Sequence, residues 1–172
     1  MVEFSEEEKG TIRGIVELLG KLDKRSLMSY WINSEFEEAG IYNGIAKRFA
    51  YYGWDPRVPK LFEELAKESL NSAEALLMEY KSIYGNAPLT RPEMGSITLK
   101  LSRGKLEDYL QNGRLRDLVE ILMEGEKLAS EIYEYLAENS KGELRGMLRR
   151  LASIENGHYL RLKALMDSLE EE

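Results

Sequence analysis

Apolar side chains recur at alternating steps of three and four residues through four long stretches of this chain. Such spacing places the apolar side chains on one face of an α-helix. The four predicted helices cover about residues 26–49, 59–84, 115–138 and 143–169. Turns that contain glycine, with proline or asparagine, separate the first helix from the second and the third from the fourth. The pattern therefore predicts two pairs of long helices.

The connection between the two pairs is the longest irregular stretch, residues 85–113. Within it we predict a short helix at about residues 106–110 and a short candidate β-strand over Ile97–Leu101. Four long helices with one long connection in the middle predict an all-α four-helix bundle with one long crossover. We predict a single domain over residues 1–172, whose bundle core covers about residues 26–169.

A further, shorter helix is predicted ahead of the bundle, over about residues 5–22. Ser5 and Glu8 have the spacing of a capping box, and an amphipathic run follows them. We expect this additional helix either to pack on the bundle or to pair two chains.

Polar residues interrupt the apolar stripe of each long helix near its middle. A buried and unpaired carboxylate costs several kcal/mol, and no lysine or arginine lies in these stripe centres to compensate. A metal ion is the compensating charge that remains, so the pattern predicts a metal site inside the bundle. The polar residues are Glu35 and Glu38 on the first helix, Ser69 and Ser72 on the second, Glu126 on the third, and Glu155 and His158 on the fourth.

The spacing of Glu155 and His158 suits metal binding, because residues three apart on a helix face the same way. Carboxylate oxygen and neutral imidazole nitrogen are ligands for iron, manganese or zinc. Tyr42 follows Glu35 by the same interval at which Tyr133 follows Glu126. We therefore predict that the two tyrosines hydrogen-bond glutamate ligands, and that the two helix pairs are related by a pseudo-twofold axis.

Charge and composition exclude several other classes of function. The net charge of −7 argues against a nucleic-acid partner, which needs clustered lysine and arginine. The chain contains no cysteine, which excludes thiolate zinc sites, iron–sulfur clusters and catalytic thiols. No apolar run of about 18 residues is present, so no membrane span is expected. The acidic N-terminus lacks a signal core, and we expect a cytoplasmic protein.

Over about residues 27–168 these features resemble the rubrerythrin and ferritin-like superfamily of di-iron carboxylate proteins. The family pattern is a Glu on the first and third helices and a Glu-x-x-His on the second and fourth. Glu35, Glu126, Glu155 and His158 match ligand positions of that pattern. The resemblance implies that Glu126, Glu155 and His158 hold one metal ion, and that Glu35 belongs to the site of the other.

The second helix departs from the family pattern, because Ser69 and Ser72 stand where the family has its Glu and His. Glu38, one turn from Glu35, and Glu68, next to position 69, are candidate replacements for the missing ligands. The resemblance implies one or two iron or manganese ions per chain, and oxidation of bound ferrous iron by peroxide or oxygen. It also implies a homodimer, and an external electron donor, since the cysteine-rich rubredoxin domain of full rubrerythrins is absent.

Two alternatives remain open at the level of sequence. The first long helix can be rotated by one position, which buries Ile32, Ala39 and Ala46 and turns Glu35 and Glu38 to solvent. The alternative function is a metal-free helical scaffold or interaction protein that kept the fold and lost the site.

Overall fold

The computed structural model describes residues 5–53, 55–90, 96–101 and 105–170. Trp54, which the sequence predicts to fill the core or an interface, lies outside these ranges. The described part contains helices and turns and no β-strand, so the predicted all-α class is confirmed. The helices are α1 (Glu6–Gly20), α2 (Lys24–Tyr51), α3 (Arg57–Tyr84), α4 (Ile97–Leu101), α5 (Leu106–Gln111), α6 (Leu115–Glu138) and α7 (Gly142–Glu170). None of these helices is both long and apolar enough to cross a membrane.

Helix α1 begins with the predicted capping box. The backbone N–H of Glu8 donates to Ser5 Oγ at 3.2 Å, and the backbone N–H of Ser5 donates to Glu8 Oε2 at 2.7 Å. Both contacts satisfy donors that the first turn of a helix leaves without a partner. The apolar face of α1 buries Ile15 and Leu19 in the same core as Leu136 of α6. The additional helix therefore packs on the bundle.

Helix α2 packs along α3 and helix α6 packs along α7, which gives the two predicted pairs. The crossover helices α4 and α5 both contact α6. The apolar side chains of the described residues form two cores, one at each end of the bundle. The first core includes Trp31 and Leu151, and the second includes Phe49 and Phe62. On each long helix, the polar residues predicted to lie in the middle of the bundle fall between the residues that belong to the first core and those that belong to the second.

Helix α2 is buried on more of its circumference than one stripe requires. Glu35 and Glu38 are 1% and 2% exposed, while Ile32, Ala39 and Ala46 are buried as well. The alternative in which the two glutamates face solvent is therefore wrong. Burial extends round the helix because the crossover contributes contacts on a further side, where Ser96 meets Glu38.

The candidate strand Ile97–Leu101 is wrong, since this segment forms the short helix α4. An apolar alternation of five residues is as compatible with one turn of helix as with a strand, and the residues that the structure describes include no strand that could pair with it. Helix α4 lies so close to α6 that a Cβ atom at Gly125 would stand 2.9 Å from the carbonyl oxygen of Thr98. Glycine at this position is what allows the crossover to reach the middle of the bundle.

Candidate metal centre

Four buried side chains converge in the middle of the bundle: Glu38 of α2, Glu126 of α6, and Glu155 and His158 of α7. One ligand atom from each lies within 4.8 Å of the others. The four residues are between 0% and 4% exposed. Three carboxyls and one imidazole are thus collected in a space from which water is largely excluded. We refer to these four residues as the cluster.

Helix α7 contributes two cluster residues because positions 155 and 158 are three apart and face the same way. His158 directs Nδ1 towards Glu126, with 3.5 Å between Nδ1 and Oε1. This nitrogen makes no hydrogen bond. The ring of Tyr42 meets the imidazole edge-on, with 6.2 Å between ring centroids. The imidazole thus packs against Tyr42, and its buried Nδ1, which has no hydrogen-bond partner, is available as a ligand.

Hydroxyl groups hold the three cluster carboxyls in place. Tyr42 Oη donates a short hydrogen bond to Glu126 Oε1. Thr98 Oγ1 lies 3.1 Å from Glu155 Oε2 and 3.4 Å from Glu126 Oε2, so its single hydrogen serves both carboxyls. Hydroxyl donors of this kind orient carboxylate ligands around a metal ion.

Ser96 completes this set, because its Oγ lies 2.6 Å from Glu38 Oε1. Thr98 belongs to α4 and Ser96 immediately precedes that helix, and neither residue is predicted from the sequence. Two features of the sequence could have identified them: the crossover contains two hydroxyl residues, and a glycine at position 125 allows another segment to approach α6 closely.

Burial raises the pKa of every carboxyl in the cluster, because the low-dielectric interior penalises the charged form. The pKa values of Glu38 and Glu155 lie well above the ordinary range, and each is raised further by a neighbouring carboxylate. Burial raises the pKa of Glu126 to about 8, although its hydrogen bonds oppose the rise. A cation among these groups reverses the effect, since it favours the ionised carboxylates.

Glu35, the predicted first-helix ligand, is buried but is not one of the four converging residues. Trp31 Nε1 donates to its Oε1 at 3.3 Å, and its Oε2 has no hydrogen-bond partner. Burial raises the pKa of this carboxyl also. Glu38, named as a candidate replacement, occupies the position in the cluster instead.

The second candidate replacement, Glu68, lies at the surface, where its carboxylate forms an ion pair with Arg161 at 2.5 Å. Ser69 is buried, and its Oγ has no hydrogen-bond partner, while Ser72 is half-buried. Helix α3 thus brings no carboxyl or imidazole into the cluster, which draws its ligand atoms from α2, α6 and α7.

The tyrosine prediction is right for one residue and wrong for the other. Tyr42 hydrogen-bonds Glu126 as described, but Tyr133 pairs with Tyr30, with 2.6 Å between the two hydroxyl oxygens. The repeat in the sequence therefore does not extend to the hydrogen bonds. One half of the bundle has the tyrosine-to-glutamate contact, and the other half has a buried tyrosine pair.

The donor atoms of the cluster fit a metal ion of the first transition series. Glu38 Oε2 and His158 Nδ1 are both buried without a hydrogen-bond partner. Each such atom costs about 1–3 kcal/mol when it is left unsatisfied. Carboxylate oxygen with imidazole nitrogen is the ligand type of iron, manganese and zinc sites. A cation at this point would satisfy both orphaned atoms and offset the repulsion among the carboxylates.

Comparison with known proteins agrees with this geometry. The family model named Rubrerythrin matches residues 27–166. A solved structure of a hypothetical protein from Pyrococcus furiosus superposes with a TM-score of 0.64 at 21% identity, covering 91% of this chain and 96% of the other. At that identity the likeness concerns the fold alone. None of the curated proteins compared matches the chain.

Proposed function

Because the chain belongs to the rubrerythrin family, we propose that it binds one iron or manganese ion through Glu38, Glu126, Glu155 and His158. The observation that supports this most directly is the convergence of their four ligand atoms within 4.8 Å in a buried space. Three carboxyls gathered at that distance repel one another when ionised, and a divalent cation removes most of this cost.

One ion per chain is the stoichiometry that the ligands favour. A second ion beside α3 would have to rely on Glu35, because Ser69 and Ser72 supply hydroxyl oxygens in place of a carboxylate and an imidazole. Hydroxyls of serine are weak ligands compared with these groups. We therefore assign Glu35 a position beside the bound ion and the four cluster residues the role of ligands.

Iron or manganese held there would supply one-electron redox chemistry towards oxygen or peroxide. The chain's own residues contribute orientation of the carboxylates by Tyr42, Ser96 and Thr98, and exclusion of water by the two apolar cores. These 172 residues contain no cysteine, so they do not themselves hold a thiolate-bound electron carrier. We propose an oxidoreductase that uses an external electron donor and acts as a homodimer.

The scaffold alternative has one observation in its favour. With the pKa of Glu126 at about 8, this carboxyl is largely protonated at neutral pH in the absence of metal. A protonated carboxyl can donate as well as accept a hydrogen bond, so the cluster can persist as a neutral hydrogen-bonded group. Metal content distinguishes this alternative from the metalloprotein.

The test is metal content per chain after expression in medium supplemented with iron and manganese, measured by elemental analysis. The parent is compared with Glu126→Gln/His158→Gln, and with Glu131→Gln, which alters an exposed glutamate on the same helix as Glu126. We expect close to one equivalent in the parent and in the control, and almost none in the double variant. Equal and negligible metal in all three proteins, with melting temperatures unchanged by added ions, would establish the scaffold instead.

A further inference from the structure

A surface crevice of about 460 Å³ lies between α3 and α7, and His158 forms part of its wall. The α3 side is formed by Glu68, Asn71 and Ser72, and Gly157 and Arg161 contribute from α7. His158 is therefore shared between the crevice and the cluster. Its imidazole lies between the crevice at the surface and the buried carboxyls of the cluster.

Small side chains keep this crevice open. Ser72 stands at the position where the second-helix histidine of the family pattern is missing, and it is only half-buried. On the facing helix, a Cβ atom at Gly157 would meet no heavy atom within 4 Å. A larger side chain at position 157 therefore has room to fill the space.

The cluster is closed on the side of the crossover. Ser96 and Thr98 are each 1% exposed and cover the carboxyls that they hydrogen-bond. Along the bundle axis, Trp31 and Tyr42 are fully buried in the two cores. An ion that enters from these directions would have to displace packed side chains, whereas the crevice already reaches His158.

Arg161 on the crevice wall pairs with two glutamates of α3: Glu68, which also lines the crevice, and Glu64, which lies one turn before Glu68. We call these three residues the rim. Arg161 Nη2 lies 2.8 Å from Glu64 Oε2, and Arg161 Nη1 lies 2.5 Å from Glu68 Oε1. Two carboxylates and one guanidinium leave a net charge of −1 at the rim. A negative rim raises the local concentration of cations and speeds their association.

We propose that this crevice is the entrance through which a hydrated divalent cation reaches the cluster, an inference that rests on the proposed metal site. Glu64 and Glu68 attract the cation to the rim, and the small side chain of Ser72 leaves it a path between α3 and α7. His158 is the first cluster ligand on that path. The small residue at position 72 thus provides the access that a site with 0–4% exposure requires.

The first test fills the crevice without touching the cluster. Gly157→Leu places a side chain in the open space, and Gly146→Leu is the matched control on the same helix, where a Cβ atom likewise meets nothing within 4 Å. Uptake of Co²⁺ is followed by stopped-flow absorbance on metal-free protein. We expect uptake by Gly157→Leu to be at least about tenfold slower than by Gly146→Leu, because binding then requires an opening motion. The final stoichiometry is expected to be the same.

A second variant tests the charge of the rim. Glu64→Gln/Glu68→Gln leaves Arg161 without counter-charges, and we expect Co²⁺ uptake at low ionic strength to slow by about tenfold, with a smaller effect at high salt. A parental rate in both the crevice-filling and the charge variant, at full stoichiometry, overturns the entrance and leaves the metal site standing. Failure of the parent protein to bind Co²⁺ overturns the metal site and the entrance with it.

Discussion

The phenol of Tyr42 donates a hydrogen bond to the carboxyl of Glu126, which joins the first helix pair to the second. The repeat in the sequence places Tyr133 and Glu35 in the equivalent relation, yet Tyr133 contacts Tyr30. The tyrosine-to-glutamate contact is therefore present at Glu126, which belongs to the cluster. It is absent at the glutamate beside α3, where the other ligands of the family pattern are lost.

Loss of this contact is expected to weaken metal binding. Tyr42→Phe removes the donor that orients Glu126, and changes of this kind typically cost about 10- to 100-fold in metal affinity. The measurement is a competition titration of Mn²⁺ against a chelator. Tyr133→Phe is the matched control, because among the described residues the Tyr133 hydroxyl hydrogen-bonds Tyr30 and no cluster carboxyl, and this variant should retain the parental affinity. Equal affinities in the two variants would contradict the role given to Tyr42.

Stability of the metal-free protein is expected to decrease as the pH rises. The folded pKa of Glu126, about 8, lies above the ordinary value of 4.5, so the folded state holds the proton more tightly than the unfolded state. The stabilisation is complete below pH 4.5 and is lost progressively towards pH 8. Urea unfolding with a chelator present should show a decrease of a few kcal/mol between pH 5 and pH 8.5.

Glu126→Gln should flatten this pH profile, because glutamine does not titrate. Glu131→Gln, on the exposed face of α6, should leave the profile unchanged. With saturating Mn²⁺ the parent should lose the decrease as well, since the metal favours ionised carboxylates. A metal-free parent whose stability increases over the same pH range would be incompatible with buried, protonated cluster carboxyls.

Metal binding is expected to release protons at neutral pH. The cluster carboxyls have raised pKa values, and they must ionise to bind a cation. Isothermal titration with Mn²⁺ in two buffers of different ionisation enthalpy measures the number released. That number should fall between pH 7 and pH 9 as Glu126 titrates. Heats that are identical in the two buffers at pH 7 would contradict the protonated state of the cluster.

The contact between α4 and α6 is expected to be sensitive to one methyl group. Gly125→Ala brings a Cβ atom within 2.9 Å of the Thr98 carbonyl oxygen, so α4 has to move away from α6. We expect a loss of about 1–3 kcal/mol in the free energy of unfolding, typical of an overpacked contact. Hydrogen exchange over residues 97–101 should accelerate.

Gly146→Ala serves as the control for this substitution. Its Cβ atom meets nothing within 4 Å, and the change should stabilise α7 by about 0.5–1 kcal/mol through helix propensity. If both alanine variants were more stable than the parent, the close approach of α4 would not be tight in solution.

The sequence predicted the long helices well, because each has a regular apolar stripe that only a helix explains. It also identified the buried level of the bundle, since Glu126, Glu155 and His158 stand where an apolar residue is expected. The features that the sequence did not predict depend on tertiary packing. Glu35 and Glu38 are three residues apart on one face, so periodicity cannot decide which of them reaches the cluster.

The contacts of the crossover could not be predicted from the sequence either. Ser96 and Thr98 meet carboxyls that are 58 and 57 positions away in the chain, in Glu38 and Glu155. No local spacing encodes such contacts. The five-residue segment that contains Thr98 has an alternation that fits a strand and a helical turn equally. Its helical form follows from the surface of α6 on which it lies.

The position of α4 has a consequence for how this chain tolerates change in length. Connections between helices usually accept insertions, because few contacts depend on their register. Here one residue inserted between Ser96 and Thr98 would turn the second hydroxyl by about 100° around the helix axis. It would then point away from Glu155. The crossover should therefore keep its length at this point as strictly as the helices that supply the ligands.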